Sequence, residues 1–208
     1  MKDSLATALL IFLLASIAAP SLWAGYDPLL TMNDKPEQKD LIVKDEKRSR
    51  EIPIRVYLPK DKTPAAVVLF SHGLGGTREG CAYLGNHWAL RGYVAVFLQH
   101  PGSDDSVWKD KPLAERLPAM QKAANLENFQ LRVQDVTVVL DQLELWNKTG
   151  SHDLAGRLDL RRIGMSGHSF GAVTTQAVSG QAFPIGKGFL SCIDADCAVQ
   201  RVEHETQL

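Results

Sequence analysis

The most restrictive feature of this sequence is a serine flanked by glycines, placed between an apolar run and a helix-forming run. The motif is Gly167-His168-Ser169-Phe170-Gly171, and the residues from Ala172 to Val178 favour a helix. A serine on a sharp strand-to-helix turn has strained backbone dihedrals and needs small neighbours two positions away on either side. The motif therefore predicts a nucleophile elbow that lifts the Ser169 hydroxyl clear of the sheet. An ordinary glycine-rich turn is the alternative interpretation.

Strand and helix patterns alternate along the chain ahead of this motif. Ala65–Phe70 and Tyr93–Leu98 are apolar runs of the kind found in strands that are buried on both faces. Arg78–Arg91 favours a helix that ends at Gly92. Apolar residues recur at steps of three and four from Phe129 to Trp146, which is typical of an amphipathic helix. This alternation predicts an α/β fold with a mainly parallel sheet and helices on both faces.

The loop after the first buried strand is rich in glycine. It reads Ser71-His72-Gly73-Leu74-Gly75-Gly76 and is called the glycine loop below. Glycines let backbone N–H groups approach a substrate closely, and acyl transfer passes through a tetrahedral oxyanion that needs such donors. The loop therefore predicts one side of an oxyanion hole. A flexible connection between a strand and a helix is the alternative.

Polar residues also follow the second buried strand. His100, Asp104 and Asp105 come where α/β sheets bind ligands, at the carboxyl end of a strand. They are either substrate contacts or part of a solvated loop. Trp108 is either a substrate contact or the anchor of a lid, and Leu113 to Asn125 has the composition of a helix that caps the site.

The glycine loop and the elbow carry a resemblance to a known family. Phe70 to Gly75 together with Gly167 to Gly171 resembles the platelet-activating-factor acetylhydrolase and dienelactone-hydrolase-like branch of the α/β-hydrolases. Dienelactone hydrolases use a cysteine nucleophile, so the serine of this chain favours the acetylhydrolase-like side. The similarity covers most of the chain from residue 52 to about 195 and includes Ile52–Pro59, Arg132–Leu143 and Leu154–Leu158.

This resemblance implies a fold, an activity and a set of site residues. The fold would be that of an α/β-hydrolase, and the activity would be hydrolysis of a carboxylic ester through an acyl-enzyme. Ser169 would be the nucleophile, and the backbone N–H groups of Leu74 and Phe170 would form the oxyanion hole. The substrate class that it suggests is short acyl esters of lipids, as in platelet-activating factor, so lipid degradation is the implied role.

The acid and the histidine of a catalytic triad should follow Ser169 in the chain. Gly188–Ile193 is expected to form one further strand, and Asp194 at its end resembles the acid position of the acetylhydrolase branch. A structural turn is the alternative role for Asp194, and Asp196 is the second candidate for the acid. His204 lies ten residues beyond Asp194, which is too close for the helix and strand that the family places between the two residues.

No other histidine satisfies this chain order. His168 adjoins the nucleophile but is expected to point elsewhere on the turn, and His72 belongs to the glycine loop. The sequence therefore predicts a serine esterase whose C-terminal part is missing. The alternative is a catalytically incompetent fragment, or a ligand-binding relative that lacks the triad histidine.

The N-terminus resembles a targeting segment rather than part of the fold. Leu5 to Ala19 is apolar, and Pro20 to Ala24 breaks the run before a plausible cleavage point. We expect a signal peptide over residues 1–24 and one α/β-hydrolase domain over residues 25–208. The protein would then be secreted or periplasmic, with no stable membrane insertion after cleavage. An uncleaved anchor is the alternative.

Composition narrows the range of partners. A formal net charge of −1 gives no electrostatic support for nucleic-acid binding. The sequence has no Cys-x-x-Cys motif and no histidine pair at helical spacing, so neither a metal nor an organic cofactor is implied, and the expected partner is a small-molecule ester. In an exported protein Cys192 and Cys197 are the cysteines closest to each other for a disulfide, and three free thiols, with Cys81, are the alternative.

Overall fold

The computed structural model describes residues 35–185, 188–193 and 196–201. The predicted signal peptide lies outside these residues. No helix in the described segments is long and apolar enough to cross a membrane. The strands are β1 (Glu37–Asp45), β2 (Arg50–Leu58), β3 (Ala65–Ser71), β4 (Val94–Leu98), β5 (Leu158–Gly167), β6 (Phe183–Ile185), β7 (Gly188–Ile193) and β8 (Asp196–Arg201). The helices are α1 (Ala82–Leu90), α2 (Leu113–Ala123), α3 (Leu126–Lys148) and α4 (Phe170–Val178), and a short 3-10 turn covers Asp105–Val107.

The first five strands form one sheet in the order β1-β2-β4-β3-β5. Strand β3 pairs in parallel with both β4 and β5. Strand β2 pairs antiparallel with β1 and with β4, so it is the reversed strand of this sheet. The other four strands run in one direction, which confirms the predicted mainly parallel sheet.

Successive residues of a strand point to opposite faces of the sheet, so the apolar runs of β3 and β4 make both faces apolar. A helix packs on each of these faces. On one face Leu69 of β3 shares a core with Val139 of α3. On the other face Phe70 and Phe97 stack with ring centroids 4.6 Å apart and share a core with Ala89 of α1. The uninterrupted apolar runs of β3 and β4 follow from this burial on both faces.

The last three strands form a second, antiparallel sheet in the order β6-β7-β8. The predicted strand at Gly188–Ile193 is confirmed as β7, and it pairs with β6 and β8. In the backbone register Cys192 lies opposite Cys197. Asp194, the predicted acid, falls outside the described residues, and so does His204.

Candidate active site

Ser169 lies at the junction of β5 and α4 in a strained backbone conformation. Its φ and ψ angles are 53° and −117°, a combination that residues other than glycine rarely adopt. Strand β5 ends at Gly167 and helix α4 begins at Phe170, so strand, turn and helix follow one another as the motif predicts. Ser169 is exposed at this junction.

Two glycines permit this turn. A Cβ atom on Gly167 would lie 2.3 Å from the carbonyl oxygen of Gly171. A Cβ atom on Gly171 would lie only 1.9 Å from the carbonyl oxygen of Ser71. The requirement for small residues on both sides of Ser169 is thereby confirmed. The second contact shows in addition that the elbow is pressed against the end of β3, where the glycine loop begins.

Some backbone N–H groups of the glycine loop donate hydrogen bonds within the described structure, whereas the N–H group of Leu74 does not. The Gly75 N–H donates to the carbonyl of Ser103 at 2.8 Å, and the Gly76 N–H donates to the carbonyl of Gly73 at 3.0 Å. Among the described residues, no hydrogen bond takes up the N–H group of Leu74. Phe170 is the first residue of α4, so its N–H has no partner within the helix. The two donors that the resemblance assigns to the oxyanion hole are both available.

A cavity of about 270 Å³ connects the glycine loop with the elbow. Its lining includes Phe70, Leu74, Cys81 just before α1, and both His168 and Ser169. His168 therefore lines the same cavity as Ser169. Its Nδ1 atom lies against Gly73, 3.0 Å from the position of a Cβ on that glycine.

Trp108 anchors the glycine loop. Its Nε1 donates to the carbonyl oxygen of Gly75 at 2.8 Å. Gly75 has a φ of +73°, and a Cβ there would lie 2.7 Å from Trp108 Nε1 and 3.1 Å from Met120 Cε of α2. Of the two roles proposed for Trp108, the structure thus supports an anchor, and the predicted cap helix α2 packs over the loop that Trp108 holds.

His72 is not free to act as a base. Its Nδ1 donates to the carbonyl of Gly73 at 2.6 Å, and its Nε2 accepts the backbone N–H of His100 at 3.0 Å. Both ring nitrogens are therefore occupied in the neutral form. No histidine in the described part of the chain is hydrogen-bonded to Ser169 Oγ.

A second serine, a histidine and an aspartate meet beneath the glycine loop. His100 Nε2 lies 3.0 Å from Ser71 Oγ, and His100 Nδ1 lies 3.0 Å from Asp135 Oδ2. All three side chains have no exposed surface. The arrangement has the atom order of a catalytic triad, but no substrate can reach a serine that is wholly buried.

The sequence suggests that His100 is either a substrate contact or part of a solvated loop. The structure supports neither role, because His100 is fully buried. Its burial is possible because α3 supplies a partner for it, Asp135, which lies with Arg132 on the buried face of that helix. The sequence does contain a signal for this: two charged residues three positions apart interrupt the apolar stripe at Val133 and Val136. Buried charges of this kind are paired and hydrogen-bonded.

Burial and neighbouring charge set the ionisation of this cluster. Burial, reinforced by the positive charge of Arg132, lowers the pKa of His100 to about 3. The same two causes lower the pKa of His72 to about 4. Burial by itself would raise the pKa of Asp135, but hydrogen bonds from His100 and Arg50 outweigh it and lower that pKa to about 2. At neutral pH both histidines are uncharged and Asp135 is a carboxylate.

These pKa values predict that the fold loses stability as the pH falls below neutral. Both histidines have a lower pKa in the folded chain than the ordinary 6.5, so the unfolded chain binds more protons between pH 6.5 and about 4. The loss should reach roughly 2 to 3 kcal/mol per histidine between pH 7 and pH 4.5. Urea unfolding at the two pH values measures it. His100→Gln should remove about half of the pH dependence, and an unchanged dependence in that variant would contradict the assignment.

Comparisons with known proteins identify the fold. Neither family models nor curated protein sequences gave a match to this chain. Among solved structures, a ferulic acid esterase from Streptomyces cinnamoneus is similar, with 19% sequence identity and a TM-score of 0.52 over 73% of this chain. The chain spans 57% of the length of that esterase.

Two longer proteins are also similar in structure. One is a putative dipeptidyl aminopeptidase IV from Bacteroides ovatus, with 18% identity, a TM-score of 0.48, and coverage of 74% of this chain and 20% of the other. The other is an acylaminoacyl peptidase from Pyrococcus horikoshii, with 20% identity, a TM-score of 0.44, and coverage of 69% and 21%. With the likeness to the esterase, the sheet order and the elbow, the chain has the α/β-hydrolase fold.

Proposed function

We propose that this protein is a serine hydrolase that cleaves short acyl esters through an acyl-enzyme, in the manner of the platelet-activating-factor acetylhydrolase branch. The observation that carries the proposal is the backbone of Ser169, which is exposed at φ 53° between two glycines that tolerate no side chain. Strain of this kind persists only where the surrounding structure enforces it, and it is concentrated at functional sites. The α/β-hydrolase fold and the similarity to an esterase add support.

The proposed chemistry uses the two sides of the cavity together. Ser169 Oγ attacks the carbonyl carbon of the ester and gives its proton to a base. The carbonyl oxygen, now an oxyanion, accepts hydrogen bonds from the Leu74 and Phe170 N–H groups. The intermediate collapses, and the C–O bond to the alcohol breaks as the alcohol takes up that proton. Water then attacks the acyl-enzyme and regenerates Ser169.

We assign Asp194 as the acid that orients the histidine base, as its place after β7 suggests. His72 and His100 are not candidates for that base, because both ring nitrogens of each are engaged in the fold. The positive end of the α4 dipole also faces Ser169 and favours the negative charge of the oxyanion.

The dimensions of the cavity favour a small acyl group. Its volume of about 270 Å³ is below the range of roughly 300–1,000 Å³ that is usual for sites binding drug-sized ligands. Phe70 and Leu74 provide apolar walls, while Gly80 and Cys81 contribute little bulk. An acetyl or butyryl group suits such a space better than a long acyl chain does.

A series of p-nitrophenyl esters tests the proposal. Purified protein should hydrolyse the acetate and butyrate with a kcat/KM at least about tenfold above that for the dodecanoate. The long acyl chain does not fit the cavity, so its transition state is bound less tightly. Ser169→Ala should abolish this activity. Ser179→Ala, at the exposed far end of α4, is the matched control and should leave it unchanged.

Two results would contradict the proposal. Folded wild-type protein without any hydrolysis would indicate a ligand-binding relative, and activity that survives Ser169→Ala would place the chemistry elsewhere. A preference for the dodecanoate would keep the esterase but reject the short-acyl substrate class.

A further inference from the structure

Arg132 is a buried cation at the centre of the fold, and the proposed chemistry does not use it directly. It lies on α3 and has no exposed surface. Burial lowers its pKa to about 9, which still leaves the guanidinium charged at neutral pH. A buried guanidinium is costly unless its N–H groups are matched by acceptors. The identity of those acceptors indicates what the residue does.

The guanidinium of Arg132 is bonded to three separate segments of the chain. Its Nη2 donates to Ser71 Oγ at 2.9 Å and also to the carbonyl oxygen of His72. Its Nη1 donates to Ser103 Oγ at 2.9 Å, in the loop after β4. Its Nε donates to Thr174 Oγ1 at 3.1 Å, in helix α4. The end of β3, the loop after β4 and the helix behind the nucleophile therefore share one planar group.

The contacts of Arg132 lie close to both proposed oxyanion donors, the N–H groups of Leu74 and Phe170. Leu74 is held on one side by the bond from Arg132 to His72, and on the other side by the bond from the Gly75 N–H to the Ser103 carbonyl. The guanidinium carbon also lies 4.7 Å from the ring centroid of Phe170. A planar guanidinium fixes direction as well as distance, which a lysine ammonium cannot do.

We propose that Arg132 is a positioning residue that sets the spacing and direction of the Leu74 and Phe170 N–H groups. The inference rests on the proposed function, because it concerns the oxyanion hole of that same site. The Ser71–His100–Asp135 arrangement belongs to the same device: His100 holds Ser71 Oγ from the other side, and Asp135 balances the charge.

The chain offers a matched control for the loss of a charge from this cluster. Arg48 donates to Asp135 at 2.9 Å, as well as to Asp45, Gln134 and the carbonyl of Leu131. It contacts neither the glycine loop nor α4 among the described residues. Arg48→Met therefore disturbs the same carboxylate without touching the proposed oxyanion hole.

Steady-state kinetics with p-nitrophenyl acetate give the first readout. Arg132→Met should lower kcat by about 100-fold with KM changed less than about threefold, because a displaced donor weakens the transition state more than the bound ester. Arg132→Lys should recover part of that loss, and Arg48→Met should change kcat by less than about threefold. Equal losses in Arg132→Met and Arg48→Met, or a change confined to KM, would overturn the proposal.

Amide hydrogen exchange gives a second readout that does not need turnover. Exchange of the Gly75 amide, which is bonded to Ser103, should accelerate in Arg132→Met and in Arg132→Lys but not in Arg48→Met. An unchanged rate in both Arg132 variants would overturn the positioning role even if wild-type protein proves inactive. Inactive wild type with altered exchange would reject the esterase and retain the positioning of the loop. If Arg132→Met does not fold, Arg132→Lys carries the same comparisons.

Discussion

Replacing Ser169 by glycine is expected to raise the free energy of unfolding by about 1 kcal/mol while it abolishes ester hydrolysis. The backbone at φ 53° and ψ −117° is strained for serine, at a cost on the order of 1 to 3 kcal/mol, and glycine adopts it without that strain. The greater flexibility of glycine in the unfolded chain offsets roughly 0.5 to 1 kcal/mol of the gain. Activity should fall by at least about 10³-fold, because the nucleophile is gone.

Alanine at the same position separates strain from chemistry. Ser169→Ala removes the hydroxyl but keeps a Cβ atom, so it should be inactive and within about 0.5 kcal/mol of the wild type in stability. Urea unfolding of the wild type and both variants measures the difference. A glycine variant that is no more stable than the alanine variant would show that the elbow stores no strain.

Gly171→Ala is expected to cost more than about 4 kcal/mol, enough to leave much of the chain unfolded. The added Cβ would lie 1.9 Å from the Ser71 carbonyl oxygen and 2.8 Å from that of His72, so backbone and not a flexible side chain would have to move. The start of α4 would have to separate from the end of β3. The two sides of the proposed oxyanion hole lie at that contact.

Gly164→Ala is the matched control for this effect. Gly164 lies in β5, only a few residues before the elbow, and a Cβ there would meet nothing closer than Val68 Cγ2 at 4.0 Å. Its stability should change by no more than about 0.5 kcal/mol. Thermal unfolding followed by circular dichroism compares the two variants. Equal melting temperatures would contradict the close contact between the elbow and β3.

Local patterns in the sequence were sufficient to predict the sheet and the elbow. The apolar runs Ala65–Phe70 and Tyr93–Leu98 fall on β3 and β4, since a strand buried on both faces tolerates few polar residues. Gly167 is required by a steric constraint within the turn itself, since a Cβ there would meet the carbonyl oxygen of Gly171. Such short-range constraints leave a direct trace in the sequence.

The buried polar cluster was not predictable in the same way. Ser71, His100 and Asp135 lie far apart in the chain, and each alone reads as a loop or helix-surface residue. Only the parallel packing of β3 beside β4, with α3 laid against the sheet, brings them together. The role of Trp108 was open for the same reason, because its partner Gly75 lies 33 residues earlier.

The elbow, the glycine loop and Arg132 together form the proposed site, in which backbone geometry would place the Ser169 hydroxyl and the oxyanion donors. Gly171 seats the elbow against Ser71, and Arg132 bonds to the Ser71 hydroxyl and to the next residue of the loop. The proposed nucleophile and the proposed oxyanion donors are thus both connected to the end of β3. This accounts for the concentration of buried polar side chains beneath a loop in which three of the six residues are glycine.

Reaction with a fluorophosphonate probe, followed by mass spectrometry of the labelled peptide, tests whether Ser169 is the nucleophile. Among the described residues, two serines lie near groups that could activate a hydroxyl: Ser169, exposed on the elbow, and Ser71, buried beside His100 and Asp135. We expect a single adduct on Ser169 that is absent from Ser169→Ala. An adduct on Ser71, or folded protein that forms no adduct, would contradict it.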